Sequence, residues 1–197
     1  MLATTKARVK IALRMESDYT DEDDRLDQLI AAASAQVENF LCRSLEATTF
    51  TEYHTVESSN QLSLFLREPP VTSVTSLEYD STGQFSGSES SYDSDEYILD
   101  GTTGELRWLA QPPVGFRAWK IVYAGGLAAD TATLITSYPA IAQAADLQVA
   151  ALYHRSADPQ TEQRSLGGAV VRHSEPMGLC MAAREACAPH RLIRFEP

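Results

Sequence analysis

Four carboxylates stand side by side at Asp21, Glu22, Asp23 and Asp24, and a looser acidic group, Asp93, Asp95 and Asp100, precedes Gly101. Carboxylate oxygens are what hard cations bind, so both runs have the chemistry of a metal site. Four consecutive positions on a helix point around its axis, however, and acids in a first turn are favoured by the positive end of the helix dipole. The first run therefore reads as a helix start. The second lacks the carboxylate that a calcium loop needs at its twelfth position, which is Gly104 here. Cys180, Cys187 and His190 give a C-x6-C-x2-H spacing that fits no usual zinc pattern. His54, His154, His173 and His190 are scattered, and no nucleophile elbow, P-loop or dinucleotide fingerprint occurs. Trp108, Trp119 and Tyr123 have the chemistry of a nucleic-acid stacking platform, but only Arg107, Arg117 and Lys120 accompany them, which suits strand packing better. The reading assigns no catalytic residue, no metal and no cofactor; the chain is expected not to be an enzyme, with a metal-binding or enzymatic module as the alternative.

These residues sit in a chain of 197 residues with 44% hydrophobic content and a formal charge of −11. The size suits one domain with a real core, which at this length hides roughly 70% of the unfolded surface. No apolar run approaches the ~20 residues of a bilayer span, and the N-terminus lacks the apolar core of a signal peptide, so no membrane is implied and synthesis in the cytoplasm is expected. Three cysteines make no disulfide framework, and Cys42 reads as part of a buried helical stripe. The negative charge argues against a protein whose main task is to grip nucleic acid. Residues 1–154 hold 10 Lys/Arg against 22 Asp/Glu, while residues 155–197 hold 6 against 5, so the tail is electrostatically a different object.

Periodicity places the elements. Val9, Ala12 and Leu13 share one face of a short helix over residues 5–15. Thr20 with Asp23 forms a capping-box pattern, opening a long helix over residues 20–45 whose stripe is Leu26, Leu29, Ile30, Ala33, Val37, Phe40 and Leu41. From Thr48 to Tyr123 the period becomes that of strands: Leu62, Leu64 and Leu66 alternate with polar residues, and Val71, Val74, Leu77 and Tyr79, Tyr97 to Asp100, Glu105 to Leu109, and Arg117 to Tyr123 follow. An antiparallel meander is the economical arrangement. Residues 80–96 are serines, glycines and acids, read as a mobile loop. Pro139 opens a last long helix over residues 138–155, with Ile141, Ala144, Ala145, Val149 and Leu152 facing the earlier stripe, so that two helices and a sheet share one core. The expected class is α+β: a helical bundle of two long helices plus a short N-terminal helix, with an inserted antiparallel β meander over 48–123 and an extended C-terminal tail. Residues 1–156 form the expected main domain, and residues 157–197 an extension, weakly helical from Gly178 to Ala188, that contacts outside its own domain tie down.

The order of these segments carries a resemblance. Leu13-Arg14, Asp23-Asp24, Leu26, Leu29 to Ala33 and Val37-Glu38 resemble the opening of the head-tail connector (adaptor, head completion) family of tailed double-stranded DNA bacteriophages. Pro69-Pro70-Val71 leading to Val74 and Leu77, Tyr97 with Leu99-Asp100, and Tyr123-Ala124-Gly125-Gly126 are similar to its middle. Pro139, Ile141, Ala144 and Ala150 look like its later helix, and Ala188-Pro189-His190-Arg191 is similar to its Pro-Tyr-Arg ending, with His190 in the tyrosine's place. The resemblance covers about residues 4–155 and the last ten; the acidic loop and the Gly-rich segment depart from it. It implies a structural virion protein at the head-tail junction, assembled in the host cytoplasm, that acts in genome packaging and ejection. Its implied partners are the portal protein, further copies of itself in a twelvefold ring, and the next neck or tail protein, while DNA passes through the channel without specific binding. Another neck protein, a stopper or tail terminator, is the alternative. Candidate channel-facing acids are Asp21, Glu22, Asp23 and Asp24, and the candidate portal-docking tail is Pro189, His190, Arg191, Leu192, Ile193, Arg194 and Phe195 within Pro176 to Pro197.

Overall fold

A computed structural model describes residues 1–87, 89–157, 163–166, 169–172 and 178–192. It is an α+β chain that divides into two compact units, one of residues 1–45 and 130–197 and one of residues 46–129.

In the first unit α1 (Lys6–Ala12) and α2 (Asp23–Leu41) come from the N-terminal part; α3 (Thr131–Ser137), α4 (Pro139–Ala157) and α5 (Met181–Cys187) come from the C-terminal part. Val9, Leu26, Ile30, Ala33 and Val149 form their buried cluster, so the two apolar stripes meet as their spacing predicts. The ends differ from expectation. Thr20 and Asp23 make no capping box: Glu22 occupies the cap position without a side-chain bond, because the Asp23 carboxylate is taken by lysines of α1. Helix α2 stops at Leu41 rather than Leu45, since Cys42 turns the chain at φ 56, and the Glu38 side chain then accepts from the Leu45 amide at 3.0 Å. Cys42 is thus a half-exposed helix cap and not part of the stripe. Helix α3 is not marked by periodicity; its start is fixed by Asp130 accepting from the Thr133 amide at 2.7 Å.

The expected extended tail contains more structure than its composition indicates. Strands β8 (Gln163–Leu166) and β9 (Ala169–Arg172) pair antiparallel, and α5 follows.

In the second unit the strands are β1 (Thr48–Val56), β2 (Ser63–Phe65), β3 (Val71–Tyr79), β4 (Ser90–Ser91), β5 (Tyr97–Asp100), β6 (Glu105–Trp108) and β7 (Gly115–Gly125). The pairings between these strands are antiparallel, but the meander order is not what forms. One sheet runs β1-β7-β3-β4 and the other β2-β6-β5. Length decides this: β7, with 11 residues, matches the nine-residue β1 and β3 on its two edges, which the three- and four-residue strands cannot do. The strands have a core of their own, in which Leu64, Leu66, Leu106 and Trp108 meet Val71, Leu77, Trp119, Ile121 and Tyr123. Rings of Trp108 and Trp119 lie 4.2 Å apart at its centre, so both tryptophans pack the sheets and neither is a surface platform. The Gly125-Gly126 stop has a steric cause. A Cβ on Gly125 would come within 2.3 Å of the Glu68 carbonyl oxygen, and one on Gly126, at φ 114, within 2.3 Å of that of Glu46.

Candidate functional site

Of the four consecutive acids, two are paired, and Asp23 holds α1 to α2. Lys10 is buried, with its ammonium 2.7 Å from Asp23 and donating to the Tyr19 carbonyl at 2.5 Å; Lys6 reaches Asp23 at 3.4 Å and Asp27 at 2.9 Å. The Lys10 ammonium holds the Asp23 carboxyl below the usual carboxylate range. Glu22 pairs with Arg25 at 3.3 Å. Asp21 and Asp24 are exposed. A buried acid, Asp146, stands unexpectedly on the apolar face of α4: Thr4 donates to it at 2.5 Å and Arg8 at 2.7 Å, which fastens the N-terminal segment to that helix.

Residues 178–192 rest on helices of their own unit. Leu179, Ala183 and Cys187 are buried, and Gln148, itself buried on α4, accepts from the Cys180 amide at 2.7 Å while donating to Gln36 at 2.6 Å. Pro189 and His190 lie in a 3-10 turn; the His190 carbonyl accepts from Arg43 at 2.9 Å, and its ring meets Tyr138 edge-on at 5.8 Å. Arg191 sits over the Phe40 ring, and the Leu192 amide donates to the Leu41 carbonyl at 2.9 Å. Ile193, Arg194 and Phe195, like Pro176, lie outside the described residues. Burial pushes the Cys187 thiol up to about 11, away from the thiolate that a metal needs. Among the described residues no group of three or more His, Cys, Asp or Glu is arranged to hold a metal ion.

The acids of the strand unit shape turns. Asp100 accepts from the Thr102 amide at 2.9 Å and the Thr103 hydroxyl at 2.8 Å, closing the β5-β6 connection. Asp80, buried at the end of β3, accepts from the Thr82, Gln84 and Phe85 amides at 2.8, 3.1 and 2.7 Å. These bonds pull its carboxyl below the ordinary range. They also make the described start of the 80–96 segment an organised turn instead of the mobile loop its composition predicts, and β4 pairs further along it. At the core, Glu52 holds a polar network: Tyr123 donates to it, the His54 ring nitrogen lies at 2.9 Å, and the Arg67 amide donates at 3.0 Å.

What the strand unit offers outward is contact surface. On the β2-β6-β5 sheet Phe65 and Ile98 point away from the core, with Glu105 and Arg107 between them in register. On the β1-β7-β3 sheet the Tyr53 ring packs at a tilt of 59° against Phe85 with centroids 5.2 Å apart, the Arg117 guanidinium lies 5.2 Å from the Tyr53 ring, and Lys120, paired with Glu78 at 2.9 Å, faces Phe85. Phe116 is 79% exposed. Among the described residues no helix is long and apolar enough to cross a membrane.

The family model for "head completion protein" matches residues 4–191. Among solved structures, the fold is similar to a chain in the neck of an empty GTA particle computed with C6 symmetry, at TM-score 0.62 and 20% identity, covering 98% of this chain and 92% of that one. It is also similar to a chain in the virion of the native gene transfer agent (GTA) particle, at TM-score 0.60 and 21% identity with 98% and 92% covered. A chain in the neck of the native GTA particle computed with C12 symmetry gives TM-score 0.55 and 19% identity, with 100% and 97% covered. At these identities the likeness concerns the fold. No curated protein matches the chain significantly.

Proposed function

The chain belongs to the head completion protein family, and from this premise we propose that it is a structural, non-enzymatic virion protein of the head-tail junction. In this reading it is an adaptor that forms a ring beneath the portal, extends the DNA channel and presents a surface to the next neck or tail protein. The observation that carries the reading is the family match over residues 4–191, which takes in both the helical and the strand unit. The shared fold with chains from particles computed with C6 and C12 symmetry supports a ring, and twelve subunits is the number proposed.

The physical chemistry is compatible. A ring of identical subunits needs side contacts that differ on the two flanks and close on themselves. A channel wall of negative charge lets DNA pass without gripping phosphate, and the chain carries −11. Asp21 and Asp24, exposed where Glu22 and Asp23 are paired, are the acids assigned to the channel. The ending from Pro189 to Phe195 is assigned to the portal, with Pro189 to Leu192 as its base on α2.

Light scattering coupled to size exclusion, on the protein alone and mixed with the portal protein of the same particle, followed by electron microscopy, tests this. A ring stacked coaxially on the portal is expected. No association at any salt concentration would overturn the adaptor assignment.

A further inference from the structure

We infer that the β8-β9 hairpin of each copy pairs edge to edge with the hairpins of its two neighbours, so that these hairpins form one closed β-barrel within the ring. The inference rests on the ring proposed above and names an element that builds it.

The hairpin stands apart in its unit. The other named elements there are helices, and among the described residues β8 and β9 form a two-stranded sheet hydrogen-bonded to no other strand. Two strands alone are marginally stable in water, and each outer edge carries a row of backbone N–H and C=O groups with no strand to meet them. Such an edge is a template for another strand.

The strand that fits is the opposite edge of a second copy. Both strands are four residues long, and they run antiparallel with Gln163 opposite Arg172 and Ser165 opposite Val170. Laying β9 of one copy along β8 of the next at full overlap repeats that antiparallel pairing with the same residues opposite one another. Each copy then gives one edge and receives the other. A contact of this kind is heterologous and repeats around a ring until it closes, and a closed barrel has no edge left unpaired.

The charge pattern favours the same occupant. The chain carries −11, so copies brought side by side repel, yet residues 163–172 hold Arg164 and Arg172 and no Asp or Glu. Here neighbours meet without setting acid against acid. At full overlap Arg172 stands opposite Gln163 and Arg164 opposite Val171, which leaves no two charges directly across from each other. In a ring of twelve, two strands from each copy make about 24, more than the roughly 16–18 that already leave an aqueous channel in porins, so the lumen stays open.

The test uses the full chain, alone and with its portal protein, with Cys42→Ser and Cys180→Ser to remove the two half-exposed thiols. Ser165→Cys and Val170→Cys are placed on separate chains, so a disulfide between them forms only between copies. Mild oxidation of rings assembled from the mixture is expected to give covalent dimers, with few from either variant alone. Replacing residues 163–172 by a Gly-Ser linker of equal length is expected to weaken ring formation by about tenfold or more, since several cross-strand pairs are lost, while melting curves verify that the helices still fold. Rings that form without such dimers, or that form unchanged with the linker, overturn the inference and leave the ring itself standing. Linker rings that form normally but no longer attach to the portal assign the hairpin to the portal and likewise overturn it. A wild-type chain that forms no ring with or without the portal removes the ring reading and this inference with it.

Discussion

Tyr123 on β7 donates its phenolic hydrogen to the carboxylate of Glu52 on the neighbouring strand β1, and the Glu68 amide donates to the same phenol at 3.2 Å. This places a charge on the inner side of a sheet whose other inward residues are apolar or aromatic. Burial alone would raise the Glu52 carboxyl, but the hydrogen bonds from His54, Tyr123 and the Arg67 amide outweigh it and hold it below its ordinary value of 4.5. Burial, and then the bond to Glu52, push the Tyr123 phenol up.

The acid limb of stability follows from that network. A carboxyl whose folded pKa is depressed contributes stability above its unfolded value and loses it as pH falls through the folded one. Melting temperature is therefore expected to drop as pH is lowered below 4.5, and Glu52→Gln should flatten that decline. Tyr123→Phe removes both the bond to the Glu52 carboxylate and the bond from the Glu68 amide and should cost about 1–3 kcal/mol in urea unfolding at neutral pH.

Asp23→Asn and Asp24→Asn separate the two roles within the acidic run. The first removes the partner of buried Lys10 and should lower the melting temperature clearly more than the second, whose carboxylate is exposed. Replacing Asp21 and Asp24 with serine should leave melting unchanged and slow genome passage in assembled particles. An unchanged ejection rate would count against channel-facing acids.

Truncation after Arg155 removes Leu179, Ala183 and Cys187 from the helical unit and leaves Gln148 without the Cys180 amide. A loss of about 3 kcal/mol or more is expected from the exposed apolar surface, read as a lower thermal midpoint in circular dichroism. A tail that merely hangs from its domain would leave the midpoint where it was.

Asp80→Ala should release the Phe85 turn. Hydrogen exchange at the Thr82, Gln84 and Phe85 amides is expected to speed up, with little change at the paired amides of β7. Equal protection in wild type and variant would show that the turn is held by something else.

The Cys187 thiol, held up to about 11 by burial, should resist alkylation in the folded protein at pH 8 and react only on denaturation. Mass mapping after a timed pulse of iodoacetamide reads this directly.

The sequence by itself determined the long helices α2 and α4 and the longer strands, because amphipathic periods of 3.6 and 2 are written in residues close together in the chain. Leu26, Ile30, Ala33 and Val37 had to line one face of α2, and Pro139 had to open α4, whatever those faces met. It also excluded the familiar catalytic and metal motifs, which are matters of spacing. Two nearby signals are present in the chain order, Asp130 with Thr133 as a cap and Asp80 ahead of Thr82-Gly83 as an Asx turn. Tertiary structure alone decided the strand order, since pairing β1 with β7 rather than β2 depends on matched lengths and burial across a separation of some 70 residues. It also decided which charges are spent inside the fold. Whether Asp23 caps its helix or holds Lys10, and whether Asp146 and Gln148 face water or a buried partner, depends on side chains that meet only after distant helices have packed; an ion pair or a buried amide is defined by its partner, and the chain order does not name it.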